Sequence, residues 1–155
     1  MRIFPRSLLD ELESKAKVSP RARAHHTIHD SAEDPVQRFI VAALPDSYFR
    51  PHRHVTKSEL ALILRGSVQV VTFDDAGKVV GRYDIGQGTD SIAYETPQAT
   101  WHTLLPGPSG VTFLEVKQGP YDPATAQELA SWAPAEGGPG VTQYLAVLRT
   151  PQRQL

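Results

Sequence analysis

Cysteine is absent from the 155 residues, which excludes disulfide staples, thiolate metal sites and cysteine nucleophiles. An excess of either charge is also missing. Lys plus Arg is 16, Asp plus Glu is 17, and the formal net charge is −1. That balance argues against nucleic-acid and anionic-membrane partners, which call for a basic surplus. No apolar run approaches the ~18 residues of a membrane span. Met1 to Leu12 holds no apolar stretch, so a secretory leader is not expected and the cytoplasm is the default location. Neither a solenoid-length repeat nor a coiled-coil heptad is visible. What is present is ordinary for a globular domain, with 40% hydrophobic and 21% charged residues. Gly (11) and Pro (13) are frequent enough to imply many turns. A chain of this length builds one core without staples.

Ser7-Leu8-Leu9-Asp10-Glu11-Leu12 predicts a helix start, with Ser7 as cap and Asp10 three residues on. Leu8, Leu9, Leu12 and Ala16 share one face, and Pro20 lies beyond the end. Arg21 to Asp34, with His25, His26 and His29, predicts a polar connection. From Val36 the texture changes to short strands: Val36–Leu44, Tyr48–His54, Glu59–Arg65, Ser67–Phe73, Lys78–Ile85, Ser91–Glu95, Trp101–Leu105 and Val111–Lys117. Asp74-Asp75-Ala76-Gly77 predicts a hairpin turn between two of them. This spacing predicts an all-β sandwich or barrel. Ala124–Trp132 suits a short helix, Val141–Leu148 a closing strand or helix, and Thr150–Leu155 a frayed end. Phe73, Tyr83 and Phe113 read as core aromatics.

His52 and His54 are the residues that carry chemistry. On a strand, positions i and i+2 face one side, so both imidazoles can converge on one point. Glu59 follows at the head of the next apolar run, and His102 stands at the head of a later strand. Imidazole and carboxylate without sulfur favour Fe(II), Mn(II), Ni(II) or Zn(II). Tyr48 and Arg50 share parity with the histidines, so an unbroken strand would turn them to the same interior. Arg50 would then hold a carboxylate or phosphate. Trp101, of opposite parity to His102, should pack elsewhere. Gln37 and Arg38 open a strand and are candidates for substrate contact or an ion pair. Glu115 alternates with Phe113 and Lys117 and either faces the cavity or forms an ion pair.

His52-Arg53-His54, Glu59 and Gly66 resemble the first motif of the cupin superfamily, and Pro97 and His102 resemble the second. The sequence departs from the family pattern where Asp46 and Ala99 replace glycines and Pro106 replaces an asparagine. A nearer resemblance is to the WbuC-type cupin-fold metalloproteins, bacterial proteins often associated with O-antigen clusters. It is carried by Asp34-Pro35-Val36-Gln37-Arg38, Arg50-Pro51-His52-Arg53-His54, Leu64-Arg65-Gly66, Thr100-Trp101-His102-Thr103 and Glu115–Tyr121. Thr27 stands where that family suggests asparagine.

The resemblance implies a cupin-type β-barrel (double-stranded β-helix, or jelly roll) over residues 35–120. A helix and connection precede it in 1–34, and an extension over 121–155 packs on it. It also implies one divalent metal ion held by His52, His54, Glu59 and His102, with Arg50, Tyr48 and His29 toward a small-molecule ligand, and a homodimer. Two functions follow from different classes. One is a small metalloenzyme, an isomerase, epimerase or oxygenase acting on a small polar molecule such as a sugar or sugar nucleotide. The other is a non-catalytic, metal-dependent ligand-binding or sensory module. A structural metal is the third possibility.

Overall fold

The computed structural model describes residues 1–150; residues 151–155, most of the segment expected to fray, lie outside them. The element order is α1 (Ser7–Val18), β1 (Arg23–Thr27), β2 (Val36–Ala43), β3 (His52–Arg53), β4 (Glu59–Phe73), β5 (Val79–Gly86), β6 (Ala93–Thr96), β7 (Trp101–Gln118), β8 (Glu128–Leu129) and α2 (Val141–Arg149). All pairings are antiparallel. Strand β7 is the spine. It pairs with β4 along nearly its whole length on one side. On the other side it pairs first with β3 and then with β2. The result is an all-β, cupin-type barrel. No helix among the described residues is long and apolar enough to cross a membrane.

Several expected strands prove to be halves of longer ones. Glu59–Arg65 and Ser67–Phe73 form the single strand β4, whose register shifts around Gly66. Gly66 has φ +71°, and a Cβ there would sit 2.1 Å from the Gly110 carbonyl oxygen, so only glycine lets β4 and β7 close at this bend. Trp101–Leu105 and Val111–Lys117 likewise join as β7. The Asp74–Gly77 hairpin forms as expected between β4 and β5. The Asp74 side chain accepts from the Ala76 and Lys78 N–H groups.

Five expectations are corrected. Ser7 does not cap α1: the first turn begins at Pro5 and Arg6, whose carbonyls accept from Leu8 and Leu9, and the Asp10 carboxylate is drawn to Arg65 at 2.7 Å. The polar connection contains β1, because alternation along Arg23–Thr27 pairs it with β2. The stretch Tyr48–His54 pairs as a strand only at His52–Arg53. Ala124–Trp132 is turns and β8 rather than helix, since Ala130 N–H donates to the Pro51 carbonyl and completes an edge beside β3. Tyr83 is exposed on β5, while Phe73 and Phe113 are buried. Val141–Leu148 resolves as helix α2.

Three apolar clusters hold the molecule. Val68, Val70, Ile85, Leu104 and Phe113 fill the barrel. Leu12 of α1, with Leu8 and Leu9, packs on Ile40 and Ala42. Leu145 and Leu148 of α2, with Trp132 and Ala133, cover Tyr48, Val71, Phe73 and Trp101. Trp101 thus packs away from the histidines, as parity suggests.

Candidate metal centre

His52 and His102 are direct cross-strand partners on β3 and β7. Opposed residues of an antiparallel pair share a face, so their rings meet at a centroid distance of 4.4 Å. His54 lies 5.2 Å from His52 and 5.9 Å from His102 by ring centroids. One ring nitrogen of each lies within 4.8 Å of the others.

The other nitrogens decide what this cluster can do. His52 Nδ1 is 3.0 Å from the Arg50 carbonyl oxygen, His54 Nδ1 2.6 Å from that of Ala126, and His102 Nδ1 2.9 Å from that of Thr100. A carbonyl only accepts, so each Nδ1 carries the proton and donates it. Every Nε2 is then left with a lone pair, the form that ligates metal, and the backbone fixes its aim. His54 and His102 are buried.

Glu59 stands beside His54, outside the cluster that the three rings form. It is buried, and its Oε2 lies 3.0 Å from His54 Nε2, off the line of a hydrogen bond. A lone pair and a carboxylate this close repel unless a cation or a proton sits between them. A divalent metal held by the three imidazoles would supply that cation, and this donor set fits one. Without metal, a proton takes that place. Burial opposes charge on His54, but Glu59 outweighs it and holds the imidazole above its ordinary pKa. Burial also opposes charge on Glu59, yet His54 and Lys117 keep its carboxyl below the usual range. Burial with His102 alongside pushes His52 down to about 3, and burial likewise lowers His102.

The cavity over these groups is about 250 Å³. His52, His54, Glu59, Glu115 and Lys117 line it together with Arg23, Phe39 and Phe49. Lys117 Nζ donates to Glu115 at 2.7 Å and lies 3.5 Å from Glu59. Glu115 therefore does both things its alternation allowed: it faces the cavity and forms an ion pair. Burial and the Glu59 charge raise its pKa despite Lys117.

Tyr48, Arg50 and His29 lie elsewhere. The chain before His52 is not a strand, so the parity argument that joined Tyr48 and Arg50 to the histidines does not apply. Tyr48 is in the cluster under α2, its hydroxyl donating to the Pro134 carbonyl at 2.8 Å. Arg50 donates to the Ala130 carbonyl at 2.7 and 3.2 Å and ties down the C-terminal segment. His29 lines a neighbouring compartment. Arg23 was not singled out in the sequence. Its guanidinium lies over Phe49 at 4.5 Å and pairs with Glu136 at 2.7 Å. The alternation of His25 with Arg23 was its signal, hidden because the segment looked like a loop.

A family model described as "Domain of unknown function (DUF6016)" matches residues 4–85. The chain belongs to the DUF6016 family. The matched stretch holds His52, His54 and Glu59 and stops before His102. No curated protein matches this DUF6016 chain. Solved structures do. A Shewanella oneidensis protein is 11% identical with a TM-score of 0.60, covering 94% of this chain and 98% of that one. A Klebsiella pneumoniae protein with a double-stranded β-helix domain is 15% identical with a TM-score of 0.58, covering 84% and 98%. Oxalate decarboxylase from Bacillus subtilis is 18% identical with a TM-score of 0.53. The match covers 69% of this chain and only 27% of the decarboxylase. At these identities the likeness is one of fold alone, that of a cupin-type, double-stranded β-helix barrel.

Proposed function

We propose that this protein is a divalent-metal-dependent cupin enzyme, an isomerase or epimerase acting on a small polar anion. One observation carries the reading. Three imidazoles, each donating Nδ1–H to a backbone carbonyl, turn their Nε2 lone pairs to a common point beside Glu59. His52, His54, Glu59 and His102 are the proposed ligands. A bound divalent ion supplies Lewis-acid polarisation of a substrate oxygen. The rest is this chain's own chemistry. Lys117 and Arg23 give the cavity wall positive charge for a carboxylate or phosphate. Glu115, with its raised pKa and its place on the wall, is the proton carrier that an isomerisation needs.

A cavity of about 250 Å³ lies below the ~300–1,000 Å³ of drug-sized sites. It suits a single sugar or hydroxy acid; the nucleotide part of a sugar nucleotide would lie outside it. The quoted sequence stretches support WbuC-type kinship and a cytoplasmic role in bacterial surface-polysaccharide metabolism. The edge strand β1 has only β2 as strand partner among the described residues, which favours a homodimer through that edge. The division into residues 1–34, 35–120 and 121–155 belongs to the same proposal.

Elemental analysis of anaerobically purified protein tests it, with His102→Ala alongside and folding checked by circular dichroism. About one transition metal per chain, lost in a folded His102→Ala variant, is expected. Unchanged stoichiometry in the variant, or no metal after reconstitution of the parent, refutes the assignment.

A further inference from the structure

A second compartment, about 340 Å³, adjoins the metal cavity. His25, Thr27, His29, Gln37, Phe39 and Tyr121 line it, and the two spaces share His25 and Phe39 as wall. Sheet register explains the adjacency. Gln37 pairs with Lys117, and Lys117 pairs with Glu59. Directly opposed residues share a face, so Gln37 belongs to the same interior row as the acid beside His54. Two strand spacings of about 4.8 Å put Gln37 roughly 10 Å from Glu59 along that row.

Gln37 is 1% exposed. Its Nε2 donates to the Ala32 and Asp34 carbonyls at 3.2 and 2.8 Å, which fixes the amide's orientation. Oε1 is left buried with no partner among the described residues. A buried acceptor left without a donor is costly, so this oxygen calls for a partner. His29 supplies the complementary group. Its Nδ1 lies 3.1 Å from the Arg38 carbonyl oxygen but accepts the Arg38 N–H at 3.0 Å, and an N–H donates only to a lone pair. The ring proton therefore sits on Nε2, which is a donor. Phe39 stands between the two spaces, with the Lys117 ammonium 5.5 Å and the His29 ring 4.8 Å from its centre.

An unused acceptor and a donor in one compartment match a hydroxyl, which offers both functions. A carboxylate only accepts and an ammonium only donates. We propose that this compartment binds the hydroxylated tail of a polyhydroxy acid whose carboxylate end occupies the metal cavity. The proposal rests on the metal-cavity reading above and adds the substrate's second half. A six-carbon chain, helped by side-chain reach, spans the row.

Glycolate and D-gluconate share a 2-hydroxycarboxylate head and differ in the tail, so they separate the two sites. Each is titrated calorimetrically into the metal-reconstituted full chain. Gluconate is expected to bind at least tenfold tighter than glycolate. Thr27 is exposed on β1 at the compartment wall. Thr27→Trp fills the space and is expected to reduce gluconate to the affinity of glycolate, leaving glycolate unchanged. Tyr121→Ala, at a half-exposed position, is expected to weaken gluconate alone. Equal affinities in the parent, or equal weakening of both acids in the variants, overturns the compartment while the metal cavity stands. Binding of neither acid to metal-loaded protein overturns both readings.

Discussion

The number of protons expelled by the metal can be worked out from the three imidazoles. An ordinary histidine, with a pKa near 6.5, is about 0.9 protonated at pH 5.5. Three of them would release close to three protons on binding a metal. This site is built differently. His52, pushed to about 3, is already neutral at pH 5.5 and gives up nothing. His102 is lowered by burial and gives up less than an ordinary ring. His54, raised by Glu59 against the effect of burial, carries its proton and gives it up in full. Glu59, held low, is already ionised. The release is therefore expected between one and two protons. Zn(II) calorimetry at pH 5.5 in two buffers of different ionisation enthalpy measures it. In the pH range where His54 alone titrates, affinity should fall about tenfold, or ~1.4 kcal/mol, for each unit by which the pH is lowered. A release near three would refute the environments assigned to His52 and His102.

Ala99 occupies a left-handed backbone position, φ +58°, where the resembled motif has glycine, and its N–H donates to the His54 carbonyl at 2.8 Å. The left-handed region costs a side chain about 1–2 kcal/mol, and glycine gives back ~0.4–1 through the unfolded chain. Ala99→Gly should therefore raise stability by about 0.5–1 kcal/mol, or roughly 1–4 °C for a domain of this size; a lower midpoint in a thermal melt would refute the strain. Lys117→Met removes the cation between Glu59 and Glu115. Breaking a buried pair costs about 3–5 kcal/mol, so metal-free protein should lose on the order of 10 °C, and a loss under ~3 °C would show that the carboxylates do not depend on Lys117.

Part of the candidate site was legible in the sequence, where its unit is local. Spacing of two residues placed His52 and His54 on one face, and the hairpin at Asp74–Gly77 was written in its turn residues. The cupin motifs brought in Glu59 and His102 across long stretches of chain. Tyr48 and Arg50 show the limit of that reasoning: parity holds only within a strand, and here the strand is two residues long. Their hydrogen bonds go instead to residues more than 75 positions away. Gln37 was visible as a strand opener and candidate contact. Its unused oxygen became visible only when Ala32 and Asp34 took both amide hydrogens.

The sequence by itself determined an all-β sandwich or barrel and the placing of His52 and His54 on one face, since both follow from short-range alternation and spacing; the cupin-type barrel and the candidates Glu59 and His102 came from the motif resemblance. Tertiary structure decided which nitrogen of each histidine is free, because that depends on carbonyls at Arg50, Thr100 and the distant Ala126. It also decided which charges face the cavity, because Lys117 meets Glu59 only through the pairing of β7 with β4. Long-range register is set by how the whole core packs, and no local stretch of chain carries that information.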